Sequence, residues 1–114
     1  MSKHDVAVTL RQMIDFADEI AVLISKHARN ELDQNNEFRR ALERCVELIG
    51  EATTRLPEEW RDRHSEIPWR QIIGMRNVMI HGYDVVSNDV IWDTAARDIR
   101  VLRASLASLL QGET

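Results

Sequence analysis

Apolar residues recur at steps of three and four near both ends of the chain. Close to the amino end, the repeating positions are Val6, Leu10, Met13, Ala17, Ile20 and Ile24. Near the carboxyl end, they are Trp92, Ala95, Ile99, Leu102, Leu106 and Leu109. Such steps place each set on one face of a helix, much like the seam of a coiled coil. The sequence therefore predicts two long amphipathic helices, the second one capped by Ser87 or Asn88.

Helical signals also fill the middle of the chain. Asn35 or Asn36 can cap a helix whose apolar stripe is Phe38, Leu42, Cys45, Ile49 and Ala52. A short helical turn is expected at 57–60, with Pro57 at its first position and acidic residues beside the positive end. Pro68 can start a further helix with apolar positions Trp69, Ile72, Ile73 and Ile80, and Gly82 is well placed to end it. The only candidate strand, 83–86, is too short to stand alone.

Residues 1–114 are thus predicted to form a single all-α domain, a four-to-five-helix up-down bundle. The apolar stripes are also broad enough to bury a second copy of the chain, so we expect a homodimer. The longest apolar runs fall far short of the ~20 residues that a membrane span needs. A lone cysteine, Cys45, and an amino end without a signal-like apolar stretch favour a reducing, cytoplasmic location.

The net charge and the arginine content limit the kinds of nucleic-acid site that the protein can have. The formal net charge of −4 argues against a general polyanion binder, which would normally carry a basic surface. Only Lys3 and Lys26 among the 15 basic residues are lysines. Arginine favours planar, bidentate contacts to phosphate or carboxylate, although a compositional bias of the genome explains the excess equally well. A nucleic-acid site would therefore be a small local cluster of arginines, contributed by one chain or by two.

The richest chemistry lies in the run 76–83. Within eight residues it contains a fixed cation, Arg76, a polar amide, Asn77, a titratable base, His81, and a phenol, Tyr83. Positions five apart point about 140° away from each other on an ideal helix, so Arg76 and His81 do not share a face. Either the long arginine and a relaxed helix end bring them together, or two protomers line one cleft with both pairs. We favour the second arrangement.

Arginine and histidine in one cleft suit metal-independent RNA cleavage. A neighbouring arginine would lower the pKa of His81 and keep it neutral, as a general base requires. The arginine would stabilise charge on the phosphate while the ribose 2′-hydroxyl attacks it, leaving a 2′,3′-cyclic phosphate. Asn77 could orient the imidazole or bind a phosphate oxygen, and Tyr83 could bind phosphate or gate the cleft. The competing interpretation is a surface arginine in an ion pair and a histidine that caps a helix.

The surroundings of this run carry a more specific signal. Five short segments, 49–52, 68–69, 74–77, 80–83 and 90–92, read Ile-Gly-Glu-Ala, Pro-Trp, Gly-Met-Arg-Asn, Ile-His-Gly-Tyr and Val-Ile-Trp in that order. Together they resemble the HepT-like branch of the HEPN superfamily, and the resemblance covers nearly the whole chain.

That resemblance implies an all-α, dimeric ribonuclease toxin without a metal or other cofactor. By position, Arg76 and His81 would be catalytic and Asn77 their polar helper. The implied partner is a nucleotidyltransferase antitoxin of the MNT type, which would neutralise the toxin by adenylylating Tyr83. An adenylyl phosphate there would pair with Arg76 and exclude an RNA phosphate. Some members of the superfamily bind nucleotides or partners without cutting RNA, so a non-catalytic helical module is the alternative, and a purely structural dimer is a third.

Several other residues carry weaker signals. Trp60, Trp69 and Trp92 could stack on bases but are more typical of a core or an interface. Glu51 could be a buried acid near the site or a solvent-facing charge, and Gly50 is expected to permit close helix packing. We predict a core position for Cys45 and surface positions without metal-ligand spacing for His4, His27 and His64. Arg97, Arg100 and Arg103 could extend a phosphate path toward the cleft, but we favour an ordinary solvated face for them.

Overall fold

The predicted helices form, and four long helical segments pack into a bundle. The computed structural model describes residues 2–81 and 87–113, apart from the side chains at 3, 4, 80 and 81. In chain order its elements are α1 (Lys3–Lys26), a 3-10 turn (Arg29–Asp33), α2 (Asn36–Arg55), α3 (Glu58–Asp62), α4 (Trp69–His81), α5 (Asn88–Asp93), a π turn (Thr94–Asp98) and α6 (Ile99–Glu113). The described residues contain no strand, and the predicted all-α bundle is confirmed. The candidate strand at 83–86 lies outside this part of the chain.

Local capping chemistry sets the ends of these helices. The Asn35 side chain accepts a hydrogen bond from the Phe38 amide, and Ser87 does the same for Val90, so the first residue of each predicted pair is the cap. Ser2 and Asp5 form a reciprocal capping box at the start of α1. Pro57 stands one position earlier than predicted, as the residue before α3, where its extended backbone turns the chain out of α2.

The core draws on every helix. The predicted stripes of α1 and α2 are buried with little exception, and Leu10, Met13, Ile20, Leu42 and Ile49 are fully covered. Helix α2 packs against both α1 and α4, and α1 packs against α6 on its other side. Fully burying one such side chain stabilises the fold by about 1.5–3 kcal/mol, so the amphipathic stripes determine which helices meet. This arrangement places α4 at one side of the bundle, against α2.

The π turn shifts the register of the last helix. The sequence predicts Trp92 and Ile99, seven residues apart, on the same stripe, but Trp92 is only half-buried while Ile91 is 0% exposed. Eight residues separate Ile91 from Ile99, and a regular α-helix would rotate them about 80° apart. The backbone N–H of Ile99 donates to the carbonyl of Thr94, five residues earlier rather than four. This wider turn contains one extra residue and brings Ile91 and Ile99 onto the same face. Trp92 still packs against the core, as predicted, but the fully buried residue of α5 is Ile91, which the sequence did not predict.

No described helix combines the length and apolar character that crossing a membrane requires.

Candidate functional site

Helix α4 presents two different faces. Trp69, Ile72 and Met79 are buried against the core, whereas Asn77 is exposed and Val78 retains 46% of its surface. Arg76 lies at the boundary between the two faces and is half-buried. Its stem therefore lies at the edge of the α2–α4 packing, while its guanidinium lies close to the solvent-facing side, where a substrate could reach it.

Among the described residues, the guanidinium of Arg76 has no carboxylate partner. Its Nη1 donates a hydrogen bond to Oδ1 of Asn77 over 3.2 Å, and its Nε is buried without a partner in the part of the chain that the structure describes. Other arginines are paired: Arg29 contacts Asp89 at 2.7 Å, and Arg103 contacts Asp18 at 3.0 Å. Because a half-buried cation normally has an acidic partner, an Arg76 without one in the described part of the chain suits an anion supplied from outside.

A glycine of α2 lies directly beneath this arginine. A Cβ atom added to Gly50 would stand 2.2 Å from Cβ of Arg76, 3.0 Å from Cγ and 3.3 Å from Cδ. Real carbon atoms do not approach so closely, so only glycine permits this spacing of α2 and α4. The expectation that Gly50 allows close helix packing is confirmed, but the sequence did not predict that its neighbour is Arg76. A small residue in the middle of an amphipathic stripe was the one available signal.

His81 is the last residue of α4, and the helix stays regular from Arg76 to that point. The angular separation of about 140° between the two positions therefore applies to the folded backbone. The His81 side chain is not among the described atoms, and Gly82 and Tyr83 fall in 82–86, outside the described residues. Convergence of the four predicted site residues thus stays a prediction, except for Arg76 and Asn77, which the structure places in contact.

Helix α5, which begins at Asn88, is attached to the 3-10 turn. The Asp89 carboxylate accepts a hydrogen bond from Arg29, and the side-chain amide of Asn88 donates to Oδ1 of Asp33 over 2.7 Å. The hydrogen bond from Asn88, followed by the charge of Arg29, lowers the pKa of Asp33, and Asp89 raises the pKa of Arg29. Helix α4 is therefore held by α2, and helix α5 is held by the 3-10 turn.

The aromatic residues chiefly serve the core. Trp60 and Trp69 are 5% and 7% exposed, and their rings lie 5.8 Å apart. The indole Nε1 of Trp60 donates to Glu113 over 2.6 Å, and that of Trp69 donates to backbone carbonyls of Arg61 and His64. With their polar atoms satisfied, these two rings are structural, as predicted, and unsuited to stacking on a base.

Charged and polar candidates on α2 and α6 are mostly exposed. Glu51 is partly exposed and lies 3.5 Å from Arg44, so it is not a buried acid. Arg97, Arg100 and Arg103 form the predicted solvated face. Cys45 is 9% exposed, as a core residue should be.

Two histidines are less exposed than predicted. His27 stacks on Phe38 and pairs with Glu31, and His64 packs against Trp60, so both are half-buried rather than on the open surface. The reason is that each ring packs on an aromatic core residue while its Nδ1 lies beside an acidic side chain, Glu31 for His27 and Glu66 for His64. Within the described residues, no group of three or more His, Cys, Asp or Glu is placed to hold a metal ion.

Comparison with known proteins identifies the family. A profile described as "Ribonuclease HepT-like" matches residues 13–109, which is most of the chain. No solved structure gives a significant match.

Individual relatives agree with the profile. A protein of Caldanaerobacter subterraneus subsp. tengcongensis, named as an RNase, is 43% identical over 74 residues, which cover 65% of this chain and 66% of that protein. One of Thermococcus cleftensis, named as a ribonuclease HepT, is 38% identical over 77 residues, 68% of each chain. A Methanocaldococcus jannaschii protein, also named as an RNase, is 28% identical over 111 residues, 97% of this chain and 92% of the other. The chain therefore belongs to the HepT-like ribonuclease family.

Proposed function

We propose that this protein is the toxin of a HEPN/MNT toxin–antitoxin pair and acts in the cytoplasm as a metal-independent endoribonuclease. The observation that carries the proposal is Arg76. Its guanidinium has no carboxylate partner among the described residues, and it lies beside an exposed amide on a helix that ends at His81. A cation held in this way is suited to an incoming phosphate.

The reaction would proceed by internal attack. His81 accepts the proton of a ribose 2′-hydroxyl, and the 2′-oxygen forms a bond to the adjacent phosphorus. The bond from phosphorus to the 5′-oxygen breaks, and that oxygen takes up a proton from an imidazolium or from solvent. Arg76 stabilises the extra negative charge on the phosphate oxygens during this step, and Asn77 adds an amide to the same anion. The products are a 2′,3′-cyclic phosphate and a 5′-hydroxyl.

A homodimer would supply the convergence that one helix lacks. Positions 76 and 81 face apart on α4, so two copies of α4 across a twofold axis would bring Arg76 of one protomer towards His81 of the other. The exposed valines Val78 and Val90, at 46% and 51% exposure, provide apolar surface on α4 and α5 for such a contact. The cleft would then hold two copies of each catalytic residue.

The cognate antitoxin would be a nucleotidyltransferase of the MNT type that adenylylates Tyr83. Tyr83 is two residues beyond His81 in the sequence, so a nucleotide attached to it would be close to the catalytic run. Its phosphate would compete with RNA for Arg76. The intact mass of the protein, made with and without the antitoxin, tests this: we expect a gain of one or more adenylyl groups that Tyr83→Phe abolishes.

The decisive experiment for the nuclease is cleavage of RNA by unmodified protein in the presence of EDTA. We expect fragments with 2′,3′-cyclic phosphate ends, and we expect His81→Ala to abolish both cleavage and growth inhibition while retaining the helical circular dichroism signal. Arg100→Ala, on the exposed face of α6, is the matched control and should cleave like wild type. If unmodified wild-type protein cuts no RNA but binds a nucleotide or partner through Arg76, the chain is a non-catalytic helical module, which its net charge of −4 favours.

A further inference from the structure

The contact between Gly50 and Arg76 involves the whole stem of the arginine. Cβ, Cγ and Cδ of Arg76 all lie within 3.3 Å of the point that a Cβ on Gly50 would occupy. The stem therefore runs across the bare backbone of α2 rather than extending into solvent. Nε, the next atom along the side chain, is buried as a result.

This contact restricts the arginine more than ordinary packing would. The nearest atom is Cβ, which is attached to the backbone and cannot rotate away as the end of a flexible side chain could. The backbone of α2 thus limits the directions that Cγ and Cδ can take, and it leaves the guanidinium beside Asn77. A long side chain that would otherwise sample many rotamers is held in one position before any substrate binds.

We propose that Gly50 is a positioning residue for Arg76: the missing side chain on α2 fixes the guanidinium where the RNA phosphate binds. This inference rests on the proposed role of Arg76 in RNA cleavage. Substituting alanine would require α4 to move back by about 1 Å or more to reach ordinary van der Waals separation. A displacement of that size at a catalytic group lowers the rate by roughly 100-fold.

The first test observes Arg76 directly and does not depend on nuclease activity. The Nε–H group of Arg76 should give a nitrogen–proton NMR signal that exchanges slowly with water, because the atom is buried. Arg76→Lys identifies the signal by removing it. We expect Gly50→Ala to accelerate its exchange by at least about tenfold, towards the rate of exposed arginines, while Gly112→Ala, a helical glycine in open space, leaves it unchanged.

The second test measures whether Gly50 acts through Arg76. We expect Gly50→Ala to lower kcat by roughly 100-fold with a smaller change in KM, because the guanidinium matters most in the transition state. In an Arg76→Lys background, whose residual activity serves as the reference, the same glycine substitution should lower kcat much less. Equal losses in both backgrounds would overturn the inference and leave Gly50 as a packing residue only.

The two tests separate the possible failures. If wild type cuts no RNA but Gly50→Ala exposes the Arg76 signal, the proposed function is wrong while the positioning contact stands. If the signal stays protected in Gly50→Ala, the positioning role is refuted whatever the activity. Should Gly50→Ala not fold, Gly50→Ala/Arg76→Gly, which removes the opposing Cβ, is expected to recover the melting temperature, and a failure to recover it would also refute the contact.

Discussion

Replacing Arg76 by alanine should separate activity from stability. The side chain is half-buried, its Nε is buried without a partner in the described structure, and its hydrogen bond there goes to the neighbouring Asn77. A residue retained for structure would normally have a better set of partners. We therefore expect Arg76→Ala to abolish most of the RNA cleavage without lowering the free energy of unfolding.

The magnitude follows from the groups that the substitution removes. Loss of Cγ and Cδ from their contact with Gly50 costs at most about 1.6 kcal/mol, at about 0.8 kcal/mol per buried methylene. Removing an unsatisfied buried donor returns about 1–3 kcal/mol. The released side-chain entropy adds up to about 2 kcal/mol. We expect the free energy of unfolding to stay constant or to rise by about 1–2 kcal/mol, whereas cleavage falls by about 10²–10³-fold, as for the loss of one donor to a transition-state anion.

Urea unfolding followed by circular dichroism measures the free energy of unfolding, and cleavage of a fluorescent oligoribonucleotide in EDTA measures the activity. Arg103→Ala is the matched control, because it removes an exposed arginine whose partner is Asp18. We expect that control to change the free energy of unfolding by less than about 1 kcal/mol and to retain activity. This role of Arg76 is refuted if Arg76→Ala lowers the free energy of unfolding by more than about 1.6 kcal/mol, the whole contribution of its stem, or if it still cleaves like wild type.

Two further predictions concern the bundle itself. Burial, followed by the nearby charge of Glu19, raises the pKa of Cys45 to about 11. The thiol should therefore react slowly with a disulfide reagent at pH 8 until urea unfolds the protein. Fast labelling of the folded protein would contradict this prediction. Because the folded pKa is the higher one, the stabilisation is complete below pH 9 and declines as the pH rises towards 11, and Cys45→Ala should lack this decline in urea titrations. Trp60→Phe should lower the free energy of unfolding by about 1 kcal/mol through loss of the hydrogen bond to Glu113. A double-mutant cycle with Glu113→Ala, which removes the acceptor, that gives no coupling would argue against that bond.

The sequence predicted the elements well where one periodicity determines the packing. The steps of three and four are enough to predict the buried stripes of α1 and α2. Asn35 and Ser87 mark the starts of their helices because short polar side chains accept hydrogen bonds from the free backbone amides of the first turn. The full burial of Ile91 could not be predicted, since a π turn changes the period within a single helix and has no clear signature in residue types.

The candidate site was predicted in part for similar reasons. Arg76 and Asn77 are neighbours in the sequence, so their contact is local. The contact between Gly50 and Arg76 joins residues 26 positions apart and depends on how α2 and α4 cross. The spacing of residues along one helix does not predict that crossing. Whether His81 and Tyr83 join them stays a prediction.

The π turn also divides the last helical segment into two parts that belong to different neighbours. On one side, α5 is attached to the 3-10 turn through Asp89 and Arg29, and on the other, α6 packs along α1. A continuous α-helix would couple these two surfaces rigidly, since turning one would turn the other by the same angle. With one wide turn between them, the buried faces of α5 and α6 can point in the different directions that their neighbours require. The register of α5, which begins just after the segment containing Tyr83, is therefore offset by one residue from the register that holds α6 in the core.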